Sequence, residues 1–184
     1  MIDRQAASDA LTEIATIARK VRQSTIYRTA SANLIMWGIL VFAGYAASYL
    51  APRAAIWIWI GVTVIGIAGW IVLAAWKRRR AKVESFNARL LIAVLLFLAF
   101  GVFTILFGHF GPRQISAFWP IYFMLVYTIV GLWTGTAFVV IGLSITALTL
   151  IGYVFVGASF DLWMALIDGG GLVLGGLWMR RDQV

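Results

Sequence analysis

Leu162-Trp163-Met164-Ala165-Leu166-Ile167-Asp168-Gly169-Gly170-Gly171-Leu172-Val173-Leu174-Gly175-Gly176-Leu177-Trp178-Met179 is apolar or glycine at every position but one. A hydrocarbon core of roughly 30 Å needs about 20 such residues per helix, so this stretch reads as a membrane span. Asp168 is the exception, the only carboxylate inside a long apolar segment of the chain, and three glycines follow it directly. Intramembrane ionisable groups are costly and mark a pathway, a relay or a buried partner.

The rest of the chain is of the same kind. Of 184 residues, 62% are hydrophobic and 12% charged, which places the fold class as all-α and polytopic rather than soluble. Six segments are long enough to span, at approximately 30–50, 55–76, 90–109, 115–133, 136–157 and 161–179. Ala51-Pro52-Arg53 and Gly111-Pro112-Arg113 are turns, because proline lacks a donor and biases its predecessor away from helix. Lys77 to Arg89 is a charged connector in which Glu84 pairs with neighbouring cations, and Thr134-Gly135-Thr136 forces spans four and five into a tight hairpin. Span four starts near Phe118-Trp119-Pro120, with the proline in its first turn.

With six spans, thirteen of the fifteen Lys and Arg residues fall on one side, in the N-terminal segment, the Lys77–Arg89 connector and the tail at Arg180 and Arg181. Only Arg53 and Arg113 fall on the other. Positive residues stay inside, so both termini are expected in the cytoplasm. The same location assigns the net charge of +8 to anionic lipid headgroups rather than to nucleic acid. There is no Cys, so disulfides and thiolate sites are excluded. Residues 1–29 are charged throughout and lack the compact apolar core of a cleaved signal.

The expected organisation is a cytoplasmic amphipathic helix within 1–29, a six-helix bundle over 30–179 and a tail at 180–184. Leu11, Ile14, Ile17, Ala18 and Val21 recur at helical spacing, which predicts a helix lying on the cytoplasmic face, either tucked beneath the bundle or docking a partner. The six spans read as three hairpins, each beginning and ending inside. The matched turns Pro52-Arg53 and Pro112-Arg113, with Trp near both ends of each returning helix, suggest a repeat that interfacial Trp belts explain equally well. Gly131 and Gly135, Gly171 and Gly175, and Gly61, Gly66 and Gly69 form small-residue rows. Such rows permit close helix packing within one bundle, or a seam to a homo-oligomer.

Two groups of residues are candidates for chemistry. Asp168 falls level with Thr149 on the antiparallel span five, with Tyr153 one turn outward and Thr146 one turn inward. Thr149 or Tyr153 is expected to donate to the carboxyl. Charged and unpartnered, that group would cost several kcal/mol, so it is neutral or well partnered. A structural role, a coupling role and a catalytic role remain open, the last weakened by the lack of a second buried titratable group. On the outer face His109, Arg113, Arg53 and Asp161 form the other candidate site. It reads as solvated turn residues, as a pH-responsive surface or as a holder of an anionic headgroup or solute. No P-loop, paired-carboxylate metal motif, nucleophile elbow or His-Glu-x-x-His is present, so no catalytic, cofactor or metal residue is assigned.

Asn33-Leu34-Ile35-Met36-Trp37-Gly38, Phe118-Trp119-Pro120, Met124-Leu125, Gly131-Leu132-Trp133, Leu148-Thr149-Leu150-Ile151-Gly152-Tyr153, Gly169-Gly170-Gly171-Leu172 and Gly175-Gly176-Leu177-Trp178-Met179-Arg180-Arg181 carry a resemblance over most of the chain. It resembles a family of small, uncharacterised bacterial inner-membrane proteins with six helices and no assigned function. The resemblance implies topology and bacterial origin, and carries over no active site. The expected function is a non-enzymatic inner-membrane protein, a regulatory or scaffold component that uses its basic cytoplasmic face. The alternative is a small-solute or ion transporter or channel with Asp168 as its coupling or selectivity group.

Overall fold

In the computed structural model, residues 4–81 and 88–181 are described, and among them there is no strand. Glu84 and its expected charge pairs lie outside the described residues, as do the last three residues of the tail. The elements are α1 (Arg4–Leu50), a short 3-10 turn (Pro52–Ala54), α2 (Ala55–Ala81), α3 (Ala88–Phe107), α4 (Pro112–Thr134) and α5 (Thr136–Phe155). A last helix follows, with α6 (Phe160–Met164), a π-helical segment (Ala165–Gly170) and α7 (Gly171–Arg181) continuous in one rod. Five helices are long and apolar enough to cross a membrane: Ile26–Leu50, Pro52–Trp76, Pro112–Thr134, Thr136–Phe155 and Phe160–Arg181. The apolar part of α3, Leu91–Phe107, is shorter. We call the end bearing the turns at 51–54, 108–111 and 156–159 the turn end, and the opposite one the termini end.

The N-terminal segment departs from expectation. It is helical, but it runs without a break into the first span as a helix of 47 residues. The reason is legible: no glycine or proline occurs between Arg4 and Trp37, so nothing stops the helix. Nor is this part tucked beneath the bundle, since Leu11 is 68% exposed and Ile14 and Ile17 are exposed beside it. Likewise α2 continues through Lys77 to Ala81, so part of the expected connector is helix.

Span four also starts earlier than expected. Pro112 occupies the first turn of α4, and Pro120 is an interior proline. An interior proline leaves the carbonyl four residues earlier without its helical donor. Here that carbonyl is Ser116, and the Tyr45 hydroxyl on α1 donates to it at 2.7 Å. The other short connection is as expected. Gly135 alone separates α4 from α5, at φ 150, a conformation that side-chain-bearing residues rarely adopt.

Packing is set by where backbones can approach. The last helix lies antiparallel against α1, and a Cβ on Gly169 would stand 2.6 Å from the backbone of Phe42. One on Gly38 would be 2.8 Å from the Gly169 carbonyl, and one on Gly176 would be 2.9 Å from that of Ser31. On its other side, Gly171 and Gly175 meet Ile145 and Ile141 of α5. Gly131 and Gly142 bring α4 and α5 together, while Gly66 receives the Trp37 ring and Gly69 the Met36 sulfur. These rows serve packing within the chain; Gly61 and Gly170 face open space. The densest seams join α4 to α5, which are neighbours in sequence, and α1 to the last helix, which are not.

The core therefore belongs to four helices. Tyr27 and Leu34 of α1, Met124 of α4, Phe138, Ile141 and Ile145 of α5, and Leu172 and Met179 of α7 form one cluster. Tyr45, Ala117, Phe160, Met164 and Ala165 form a second toward the turn end. By contrast α2 and α3 are peripheral and leave Trp57, Trp70, Leu96 and Phe100 exposed, as suits surfaces solvated by lipid tails. An aromatic contact holds α3, with Phe97 stacked on Tyr122 at 4.2 Å and the Tyr122 hydroxyl donating to the Phe97 carbonyl at 3.0 Å.

The adjacent pair Gly169 and Gly170 tests the seam. Gly169→Ala should lower stability by about 1–3 kcal/mol, because the Phe42 backbone must move. Gly170→Ala should be neutral or slightly stabilising. Thermal unfolding in detergent, followed by circular dichroism, reads both, and equal losses would refute the seam.

Candidate functional site

Asp168 sits in the π-helical segment, three residues after it begins. Such wide turns inside α-helices recur at functional positions. Here Gly169, Gly170 and Gly171 lower the resistance to widening, because glycine holds helical geometry weakly. The residue is 5% exposed, enclosed where the last helix meets α1 and α5. Among the described residues its carboxylate makes no hydrogen bond and no ion pair.

The expected donors do not reach it. Thr149 is fully buried, but its hydroxyl has no hydrogen-bond partner at all. That is unlike Thr63, Thr104, Thr128 and Thr134, each of which donates to the carbonyl four residues back. Tyr153 is turned toward the bundle end, edge-on to Phe160 at 6.0 Å and beneath Arg113. Thr146 is half-buried and makes no bond to Asp168. A second buried hydroxyl without a partner, Ser48 on α1, lies one turn beyond Tyr45.

Tyr45 of α1, which the sequence did not single out, packs in one cluster with Met164 and Ala165 where the π-helical segment begins, its proton committed to Ser116. The one available sequence signal was Pro120, whose orphaned carbonyl demands a donor from a neighbouring helix. What the last helix and its neighbours bring to this part of the bundle is thus a buried carboxylate and an unpartnered threonine hydroxyl in an apolar shell. These groups offer acceptor oxygens without a competing cation, which is the chemistry of a site for a proton or a small cation.

The second candidate group is not brought together. Arg113 donates to the carbonyls of Tyr153 at 2.8 Å, Gly157 at 3.3 Å and Val156, and stacks over Tyr153 and Phe160. It thereby caps the C-terminus of α5, where unpaired carbonyls and the helix dipole favour a cation. His109 is exposed in the turn before α4 at φ 50, and Arg53 is exposed on the 3-10 turn. Asp161 lies in the first turn of the last helix, where the dipole favours a carboxylate. No hydrogen bond or ion pair joins these four to one another, and among the described residues no His, Cys, Asp or Glu cluster fits a metal ion. A further bond ties the turn end together: the Trp163 indole donates to the Leu148 carbonyl at 3.0 Å over Gly152, where a Cβ would be 2.2 Å from the ring nitrogen.

The Tyr45–Ser116 bond can be tested by a cycle. Tyr45→Phe should destabilise by about 1–2 kcal/mol, since a buried carbonyl loses its donor. In a Pro120→Ala background, where the helix supplies that donor itself, the same change should cost well under half as much. Equal costs in the two backgrounds, read by thermal unfolding, would show that Ser116 is not what Tyr45 serves.

Compared with protein-family models, with curated proteins and with solved structures, the chain matches none of them.

Proposed function

We propose that this chain is a six-span, non-enzymatic membrane protein that carries or conducts a small cation or proton, with Asp168 as its coupling or selectivity group. The observation behind this reading is a fully buried threonine hydroxyl without a partner on α5, a helix that packs against the segment carrying Asp168, itself 5% exposed. A purely structural aspartate would be expected to accept bonds, because buried polar groups are nearly always paired. Placing it in a π-helical turn softened by glycine adds an approachable backbone, as ion and substrate sites in membranes use.

The sixth span in this reading is α3. Its apolar part of 17 residues extends about 26 Å at 1.5 Å per residue, at the short end for a crossing. Six crossings gather the thirteen basic residues on one side, which supports cytoplasmic termini in a bacterial inner membrane. A second reading, a regulatory or scaffold component, is supported by α1. The residues of α1 before Ile26 extend beyond the first span, with Leu11, Ile14 and Ile17 exposed.

Reconstitution decides between them. Purified protein in liposomes should pass protons or a monovalent cation measurably faster than empty liposomes. Asp168→Asn should cut that flux by about tenfold or more, while its melting temperature stays near wild type. Flux equal in the two proteins, or none from the wild type, would remove the transport reading and leave the scaffold.

A further inference from the structure

A groove of about 470 Å³ lies between α1 and α4 at the termini end of the bundle, within the size range of ligand sites. Ile26, Ala30 and Asn33 of α1 line one side and Val126 and Val130 of α4 the other, with the buried Phe138 of α5 also in the lining. All of these residues fall inside membrane spans, and Val126 and Val130 are exposed. The mouth of the groove therefore faces hydrocarbon, and what enters it comes sideways from the bilayer. An acyl chain has the chemistry of this lining.

Positive charge lies one turn below. The first span begins at Ile26, and α1 continues outward from it without a break. Arg22 and Arg19 precede Ile26 by four and seven residues, spacings that return to the same face of a helix. At 1.5 Å per residue these positions stand about 6 Å and about 10 Å outside the span. Headgroups occupy roughly 5–7 Å on each side of the hydrocarbon, so this face of α1 passes through the depth of the lipid phosphates. No carboxylate competes there. The sequence has no Asp or Glu from Ile14 to Val83, and α4 and α5 contain none. Arg28 is exposed, but its position two residues after Ile26 puts it on the other side of α1.

We propose that the groove and the α1 face below it form a binding site for one anionic phospholipid, with an acyl chain in the groove and the phosphate at Arg19 and Arg22. The site is built by α1, α4 and α5 and does not depend on the reading of Asp168. Basic residues at a membrane surface attract anionic lipid in general. The groove makes that attraction local, because the chain it holds fixes where the phosphate sits. A zwitterionic lipid with the same chains fills the groove equally well but gains less at the arginines. A water-soluble anion meets the arginines and leaves the groove unfilled.

Native mass spectrometry of the full-length protein, released from nonionic detergent, counts bound lipid. Dioleoylphosphatidylglycerol and dioleoylphosphatidylcholine, which share their acyl chains, are titrated separately. The tightest site should take one phosphatidylglycerol per chain, at least about fivefold more strongly than phosphatidylcholine. Arg19→Gln combined with Arg22→Gln should abolish that preference and leave phosphatidylcholine binding unchanged. Arg28→Gln combined with Lys77→Gln removes the same charge elsewhere and should preserve the preference. Val130→Trp fills the groove and should weaken both lipids by about fivefold or more. Ile26→Trp fills it from the opposite wall and carries the test if the first variant does not fold. Equal binding of the two lipids by the wild type would overturn the proposal. So would a preference that survives the paired Arg19 and Arg22 change, or one that the control pair removes as completely. Binding indifferent to a filled groove would reduce the site to surface charge, and that result overturns it too.

Discussion

Inside a bilayer no water is available to bond a free backbone carbonyl, and that constraint organises this bundle. The interhelical bonds of Tyr45, Tyr122, Trp163 and Arg113 all end on main-chain oxygens. Each addresses an identifiable deficit or contact. Tyr45 supplies the donor that Pro120 withholds, and Arg113 covers the last carbonyls of α5. The indole of Trp163 adds a second donor to a carbonyl inside α5, and it reaches that carbonyl only because Gly152 has no side chain. Polar side chains are therefore used here to join helices through their backbones.

Close approach is the complementary device. In lipid there is little hydrophobic force between helices, so contact area decides association. Gly38, Gly169 and Gly176 let the last helix press against α1 until Cα meets backbone, and Gly171 and Gly175 do the same toward α5. The last helix thus ends up in the middle of the fold although it comes last in the chain. The carboxylate it carries is enclosed as a consequence, and enclosure is what gives Asp168 its chemistry.

Much of this was legible in the residues. Hydropathy located five of the six expected spans within a few residues, because a bilayer thickness fixes helix length, and Pro52, Pro112 and Gly135 marked their turns. Pairing was not legible. Glycine rows say that a helix can approach something, not what, and only coordinates show Gly169 against Phe42. The role of Arg113 was hidden for a similar reason: a turn arginine beside a proline gives no sign that it reaches back across the chain to α5. The unbroken α1 is different. The missing glycine and proline before Gly38 are plain in the sequence, but a shift from amphipathic to apolar pattern changes the surroundings of a helix without ending it.

The same accounting of polar atoms isolates the candidate site. The carbonyls left over by Pro120 and by the end of α5 find donors, and four threonines satisfy their hydroxyls on their own helices. Thr149 has an equivalent carbonyl within its own turn of α5 and does not use it. The unmade bond of Thr149 therefore sets this hydroxyl apart from the other threonines, because a buried group that forgoes a partner costs free energy that the rest of the packing must offset.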